Sequence, residues 1–167
     1  VGMGLTCTRG SLRQPLREQP SQDKRRELLE RYYITHHQKL ADAVEESLLV
    51  NDRCLIIDGH GFPALALPYE LDQTAFRPGF CLGTDDFHTP EELVERVEKE
   101  LESCGYSTAR DQPFSGTIVP MKYYPTDQRV QSLMIEINRW LYLGEDYSMN
   151  PVVSDLYNGE DYKFHLE

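Results

Sequence analysis

The chain has 167 residues, which suits one domain spanning residues 1–167 with a hydrophobic core of ordinary size. Its hydrophobic fraction of 40% is typical of a globular protein, and no apolar run is long enough to predict a membrane-spanning helix. The formal net charge of −11 argues against nucleic acid as the main partner, because phosphate binding needs a concentrated positive surface.

The four cysteines lie far apart in the sequence, at Cys7, Cys54, Cys81 and Cys104. This spacing predicts neither a zinc knuckle nor a redox pair. The start of the chain, residues 1–4, lacks the basic and apolar pattern of a secretory signal. We therefore expect reduced thiols and a cytoplasmic location.

The first third of the chain predicts an irregular start followed by a long helix. Residues 1–20 are interrupted by several glycines and prolines, whereas Ser21 opens a stretch with helical periodicity. Apolar and aromatic side chains recur there at three- and four-residue steps, which predicts one buried face: Leu29, Tyr33, His37, Leu40, Val44 and Leu48. Ile34 and Thr35 mark a predicted kink in this helix.

A buried strand and a long loop are predicted next. The continuous apolar run Cys54–Ile57 is typical of a central strand covered on both faces. Residues 59–79 contain repeated glycine and proline and predict a loop, and long loops in compact domains are commonly functional.

The second half alternates strands with helices, which favours an α/β fold. Phe80–Gly83 and Tyr106–Arg110 predict strands, and between them a helix is expected with Thr89 as its N-cap and Gly105 at its end. Residues 133–137 alternate with the period of a strand, and a short helix is expected from Arg139. Residues 147–167 form a weakly patterned tail.

Asp58-Gly59-His60 is the first candidate site, since it directly follows the predicted buried strand. Ligands of open α/β sheets bind beyond the carboxyl ends of strands. Neutral imidazole is a common zinc ligand, and Asp58 could orient His60 through a hydrogen bond. The alternative is a capped strand end with a hydrogen-bonded histidine.

Glu136 is the second candidate, because it lies among apolar neighbours in the strand 133–137. Burial would raise the pKa of its carboxyl, which suits a general base at neutral pH. The alternative is a structural ion pair with an arginine. Arg77 and Arg139 each lie near a candidate site, where either could hold a substrate carboxylate or make a structural ion pair.

The remaining histidines give weaker signals. His36 and His37 lie in the long helix, where a core or capping role is the simpler interpretation. His88 precedes a helix in Asp85-Asp86-Phe87-His88, a spacing that suits either a metal ligand or a helix-entry loop.

Many motifs in a fixed order resemble one family over residues 2–146. They include Tyr32-Tyr33, His36-His37, Asp58-Gly59-His60-Gly61-Phe62-Pro63, Pro68-Tyr69-Glu70, Arg77-Pro78, Leu82-Gly83-Thr84-Asp85, Pro113-Phe114-Ser115-Gly116 and Met134-Ile135-Glu136-Ile137-Asn138-Arg139. In this order they are similar to the C-terminal part of the N-formylglutamate amidohydrolase family.

The resemblance implies a fold and a reaction. The expected fold is a mixed sheet flanked by helices, like that of the zinc-dependent exopeptidases. The expected reaction is zinc-dependent hydrolysis of N-formyl-L-glutamate, a small anionic substrate, to L-glutamate and formate in histidine degradation. By the same resemblance His60 is a zinc ligand with Asp58 behind it, Glu136 is the catalytic carboxylate, and Arg77, Asn138 and Arg139 hold substrate.

The sequence departs from the family pattern in two places, and these departures leave other functions open. Gly59 and Gly61 stand where the family usually has cysteine and serine beside the histidine. The family's Pro-His-type metal segment has no counterpart before Val1, so an N-terminally truncated member is expected. The alternatives to the amidohydrolase are a non-catalytic remnant or binding protein of the family, and a hydrolase of another N-acyl amino acid.

Overall fold

A computed structural model describes residues 6–10, 14–74 and 76–143. Its elements in chain order are α1 (Gln22–Leu28), a π-helix (Leu29–Ile34), α2 (Thr35–Asn51), β1 (Cys54–Phe62), β2 (Phe80–Gly83), α3 (Glu91–Ser103), β3 (Thr108–Arg110), β4 (Val130–Asn138) and α4 (Trp140–Leu143). Within the described ranges, no helix is both long and apolar enough to cross a membrane. The predicted tail, residues 147–167, lies outside these ranges.

The four strands form one mixed sheet in the order β1-β4-β2-β3. Strands β1 and β4 run parallel, as do β2 and β3, whereas β2 and β4 are antiparallel. One hydrophobic cluster lies on each face: Val44 of α2 packs with Ile56 and Val130, and Val94 of α3 packs with Leu82 and Leu133. The predicted mixed sheet flanked by helices is therefore confirmed.

The long helix begins where the sequence predicts, and its π-helical segment ends at the predicted kink. The Ser21 hydroxyl accepts a hydrogen bond from the Lys24 amide at 3.3 Å. The predicted kink at Ile34–Thr35 is the end of the π-helix, where the Thr35 hydroxyl donates to the Glu30 carbonyl at 2.9 Å. The predicted continuous buried face is wrong for the first half, because the sheet meets the C-terminal half and Leu29 and Tyr33 stay exposed.

Strand β1 differs from its prediction in length and in position. It continues through Phe62, because its parallel pairing with β4 keeps Gly59 and Gly61 extended, so the loop begins later than expected. In the sheet that the described residues form, β1 lies at one edge rather than at the centre. Its Leu55 and Ile57 side chains are 47% and 52% exposed, so the described residues cover one face and not both.

Helix α3 has the predicted C-terminus and a shifted N-terminus. Gly105 adopts φ +87°, and the amides of Gly105 and Tyr106 bond to the carbonyls of Glu102 and Leu101, which completes a Schellman motif. The predicted N-cap Thr89 is wrong, because Pro90 occupies that position. The Thr89 hydroxyl instead donates to the Ser132 carbonyl at 2.6 Å and so ties the helix entry to β4.

The remaining elements match their predictions with small shifts. Strand β4 extends the predicted 133–137 at both ends, to Val130 and Asn138. Strand β3 is shorter than predicted and begins at Thr108. A short helix, α4, follows Arg139 as expected. The predicted irregular start contains one isolated bridge, between Arg9 and Pro15.

Gly83, at the end of β2, has no room for a side chain. A Cβ atom there would clash with the Gly116 carbonyl oxygen and with the Met134 Cε atom. We expect Gly83→Ala to lower the free energy of unfolding by about 1–3 kcal/mol, measured by chemical denaturation. Gly59→Ala is the matched control, since nothing lies within 4 Å of its Cβ position, and it should change stability by less than about 0.5 kcal/mol. Equal stability of the two variants would contradict this close packing.

Candidate functional site

One face of the sheet brings the two sequence candidates together. Residues two apart on a strand share a face, so Asp58 and His60 project from the same side of β1. The register pairs His60 with Glu136 across β1 and β4, and Glu136 with Cys81 across β4 and β2. An imidazole and a carboxylate therefore stand on neighbouring strands, which lie about 4.8 Å apart. His60 lies within β1, and not beyond the end of the strand as the sequence predicted, whereas Glu136 lies within its strand as expected.

Asp58 and His60 contact each other directly. The His60 Nε2 atom lies 2.9 Å from the Asp58 Oδ1 atom. The His60 side chain is 51% exposed, whereas the Asp58 side chain is more buried. The carboxylate thus fixes the orientation of the imidazole and leaves Nδ1 as the ring nitrogen that could meet a ligand. Both interpretations of the motif expect the two side chains to be paired, and the structure brings them into contact.

Glu136 is a buried carboxylate with an unused oxygen. The residue is 8% exposed, and its Oε2 atom is buried without a hydrogen-bond partner among the described residues. Burial raises the pKa of Glu136, and the charges of Asp58 and Glu70 raise it further. His60 and Arg139 act in the opposite direction. A raised pKa brings the carboxyl group of Glu136 closer to what a general base needs.

Arg77 is buried and already has an anionic partner. Its guanidinium forms an ion pair with Glu70, and the two side chains are 2% and 4% exposed. It also donates to the backbone carbonyls of Pro63 and Asp72, at 3.3 and 3.2 Å. For Arg77 the sequence left open a substrate carboxylate or a structural ion pair as the partner. In the structure Arg77 forms an ion pair with Glu70.

Asn138 and Arg139 differ in their exposure to solvent and in their hydrogen-bond partners. The buried Asn138 amide donates to the Pro78 carbonyl and accepts from the Trp140 amide, both at 3.1 Å, so it links β4 to the segment before β2 and to α4. Arg139 is exposed and donates to the Gly61 carbonyl through Nη2 at 3.0 Å. Of the three predicted substrate ligands, Arg139 is the one at the protein surface.

Sequence reasoning missed Glu70. Its carboxylate binds Arg77 through Oε2, while its Oε1 atom is buried without a partner among the described residues. The available signal was the sequence Pro68-Tyr69-Glu70 seven residues before Arg77, within a loop expected to be functional. Burial raises the pKa of both Glu136 and Tyr69, and the charge of Glu70 adds to each shift, so Glu70 belongs to the same electrostatic environment.

Among the remaining histidines of the described residues, His88 lies apart from this group. His88 is 1% exposed, and its Nδ1 atom lies 2.7 Å from the Val130 carbonyl at the opposite end of β4 from Glu136. His36 and His37 are on α2. The ring centre of His37 lies 4.1 Å from that of Tyr33 in the preceding π-helix. His88 thus supports the entry to α3, which is the helix-entry interpretation of its motif.

The described residues do not make a complete zinc centre. Catalytic zinc is normally held by three protein ligands. Among residues 6–10, 14–74 and 76–143, no group of three or more His, Cys, Asp or Glu side chains is arranged to hold a metal ion. His60 therefore lacks a full set of companion ligands in this part of the chain.

The two glycines beside His60 have different surroundings. A Cβ atom at Gly59 would meet nothing within 4 Å, whereas one at Gly61 would lie 2.9 Å from the Tyr142 hydroxyl oxygen. Gly61 therefore allows Tyr142 of α4 to approach β1 next to His60.

Replacing Glu136 should stabilise the protein at neutral pH. Because its folded-state pKa is raised, the protonated form favours folding and ionisation at higher pH costs folding free energy. Glu136→Gln should therefore resist urea better than the wild type at pH 7. The difference should shrink below about pH 4, where the carboxyl is protonated in both states. Exposed Glu95→Gln on α3 is the control; a pH-independent gain for Glu136→Gln would contradict the burial effect.

Comparisons with known proteins found one family and one similar solved structure for this chain. A family model described as N-formylglutamate amidohydrolase matches residues 1–143. The crystal structure of N-formylglutamate amidohydrolase from Ralstonia eutropha is similar, with a TM-score of 0.66 and 27% sequence identity over 77% of this chain. The match covers 48% of that structure's chain, so this chain spans about half the length of its relative. No curated protein matches. The chain belongs to the N-formylglutamate amidohydrolase family.

Proposed function

We propose that the chain hydrolyses the amide bond of an N-formyl amino acid. The reference reaction is that of N-formyl-L-glutamate with water, which yields L-glutamate and formate. The observation that carries the proposal is the buried Glu136 carboxylate, with its unused oxygen, paired in register with His60 in a chain of this family.

Glu136 is the proposed general base. It takes a proton from a water molecule, whose oxygen attacks the formyl carbon and forms the new C–O bond. The C–N bond then breaks, and Glu136 returns the proton to the leaving amine nitrogen. The raised pKa of Glu136 suits both transfers, because the group must accept and release one proton at the same pH.

Arg139 is the proposed ligand of the substrate carboxylate. It is exposed and donates to the carbonyl of Gly61, which follows His60, the register partner of Glu136, so an anionic group bound to it would lie near the base. The proposed role of Asn138 is to fix the backbone before Arg139 through its two hydrogen bonds. A carboxylate held in this way orients the formyl group toward Glu136.

Zinc is part of the proposal through the family resemblance. His60 would hold it through Nδ1, with Asp58 bound to Nε2, and a bound zinc ion would polarise the formyl carbonyl. Because the described residues do not complete a zinc centre, no step above depends on the metal. The four free cysteines support the further proposal of a cytoplasmic enzyme.

A second candidate function is a binding protein of the same family without catalysis. The observation that favours it is the lack of a three-donor metal group among the described residues. Such a protein would bind the same small anionic molecules through Arg139 and release no formate.

Formate release separates the two candidates. The chain is assayed with N-formyl amino acids, with and without added zinc, beside Glu136→Gln and the exposed control Glu95→Gln. We expect turnover by the wild type and the control, and a loss of about 10²–10⁴-fold for Glu136→Gln, the usual contribution of general base catalysis. Wild-type turnover no higher than that of Glu136→Gln would refute the enzyme and favour the binding protein.

A further inference from the structure

We propose that the C-terminal segment, residues 144–167, docks on an open face of β1. This open face consists of Leu55, Ile57 and Gly59, which project from the same side of the strand. The side chains of Leu55 and Ile57 are half-exposed, and no described atom lies within 4 Å of the Cβ position of Gly59. The outer edge of β1 has no strand partner among the described residues. Proteins normally cover such an edge, because exposed apolar strands promote aggregation.

Helix α3 packs on this side of the sheet without covering β1. The register pairs Ile57 with Leu133, so both side chains point toward the side of α3. The hydrophobic cluster under α3 includes Leu82 of β2 and Leu133 of β4, and its members among the described residues include none from β1. The apolar layer on this side of the sheet is therefore incomplete at β1.

Helix α4 ends beside the open face, which is where the C-terminal segment begins. A Cβ atom at Gly61 would lie 2.9 Å from the Tyr142 hydroxyl oxygen, and Gly61 shares the face of Ile57. The start of α4 is fixed by Arg139, which donates to the Gly61 carbonyl at 3.0 Å. Leu143 is the last residue of α4, so the chain enters the segment at the C-terminal end of the open face.

The segment is long enough and apolar enough to cover this face. Leu55 and Gly61 are six residues apart, or about 20 Å along a strand, and the segment has 24 residues. Apolar residues with a preference for extended structure lie in its middle, at Val152, Val153, Leu156 and Tyr157. Packing them on Leu55 and Ile57 would remove apolar surface of both partners from water, which favours docking.

Charge favours the segment over a second copy of the chain as the occupant. The segment has six acidic residues against one lysine. A hollow of about 480 Å³ at the N-terminal end of the open face is lined by Leu55 and the exposed Arg53, while the neighbouring Asp52 already pairs with Arg129. Two copies, each with a formal net charge of −11, would repel each other. The segment is tethered to the face, so its local concentration there is high.

Photocross-linking of the full chain identifies the occupant. The photoreactive residue p-benzoylphenylalanine replaces Ile57, and in a control chain it replaces Leu71, which is 90% exposed. After irradiation the monomer and dimer bands are digested, and the linked peptides are identified by mass spectrometry. We expect links from position 57 to residues 144–167 in the monomer band, at about ten times the yield from position 71. Links between two chains, or no excess over position 71, would overturn the proposal.

A stability cycle in the full chain tests the same contact without a bulky probe. The segment variant carries Val153→Ser with Leu156→Ser, which cover both sides of an extended chain. This variant and Ile57→Ser should each raise the unfolding equilibrium constant about tenfold in urea, as loss of a buried apolar side chain does. Their combination should raise it by less than the product, because both changes remove one contact. Leu71→Ser is the control and should combine with the segment variant multiplicatively. A segment variant as stable as the wild type, or multiplicative effects with Ile57→Ser, would show that the segment does not dock there.

Discussion

The parallel pairing of β1 with β4 is the interaction on which the site depends. Its register sets His60 beside Glu136 and Phe62 beside Asn138. A slip of one residue would turn the polar side chains of β1 to the opposite face, away from Glu136. Because the antiparallel β2 holds β4 from its other side, Glu136 lies in the interior of the sheet, where its carboxyl group is shielded from water.

Burial and charge act together on this face. A buried carboxylate without a partner destabilises the fold. The acids on this face differ in how their charge is compensated. Asp58 contacts His60, Glu70 pairs with Arg77, and Glu136 keeps one oxygen without a partner among the described residues. Glu136, the carboxylate with an unpaired oxygen among the described residues, is thus the proposed base. Asp58 and Glu70, which have partners, hold its surroundings in place. This is the usual balance between stability and function at an active site.

Local patterns predicted much of this structure, and long-range packing decided the rest. The helix start at Ser21, the end of α3 at Gly105 and the alternation of β4 follow from neighbouring residues. The candidates His60 and Glu136 were also found in the sequence, because polar residues stand out in apolar strands. Strand β1 lies at an edge and extends through two glycines because it pairs with β4, a strand about seventy residues later. The local periodicity of the sequence does not indicate this pairing. The Glu70–Arg77 pair was missed for the same reason, since a loop sequence does not show what it buries.

A double-mutant cycle between His60 and Glu136 tests the central claim that they act as one unit. The measured quantity is kcat/KM for His60→Ala, Glu136→Gln and the double variant, with folding of each checked by denaturation. Groups that share one reacting centre are strongly non-additive. We predict that the double variant is no less active than the weaker single variant. Losses that multiply would show that the two residues act independently and would contradict the account.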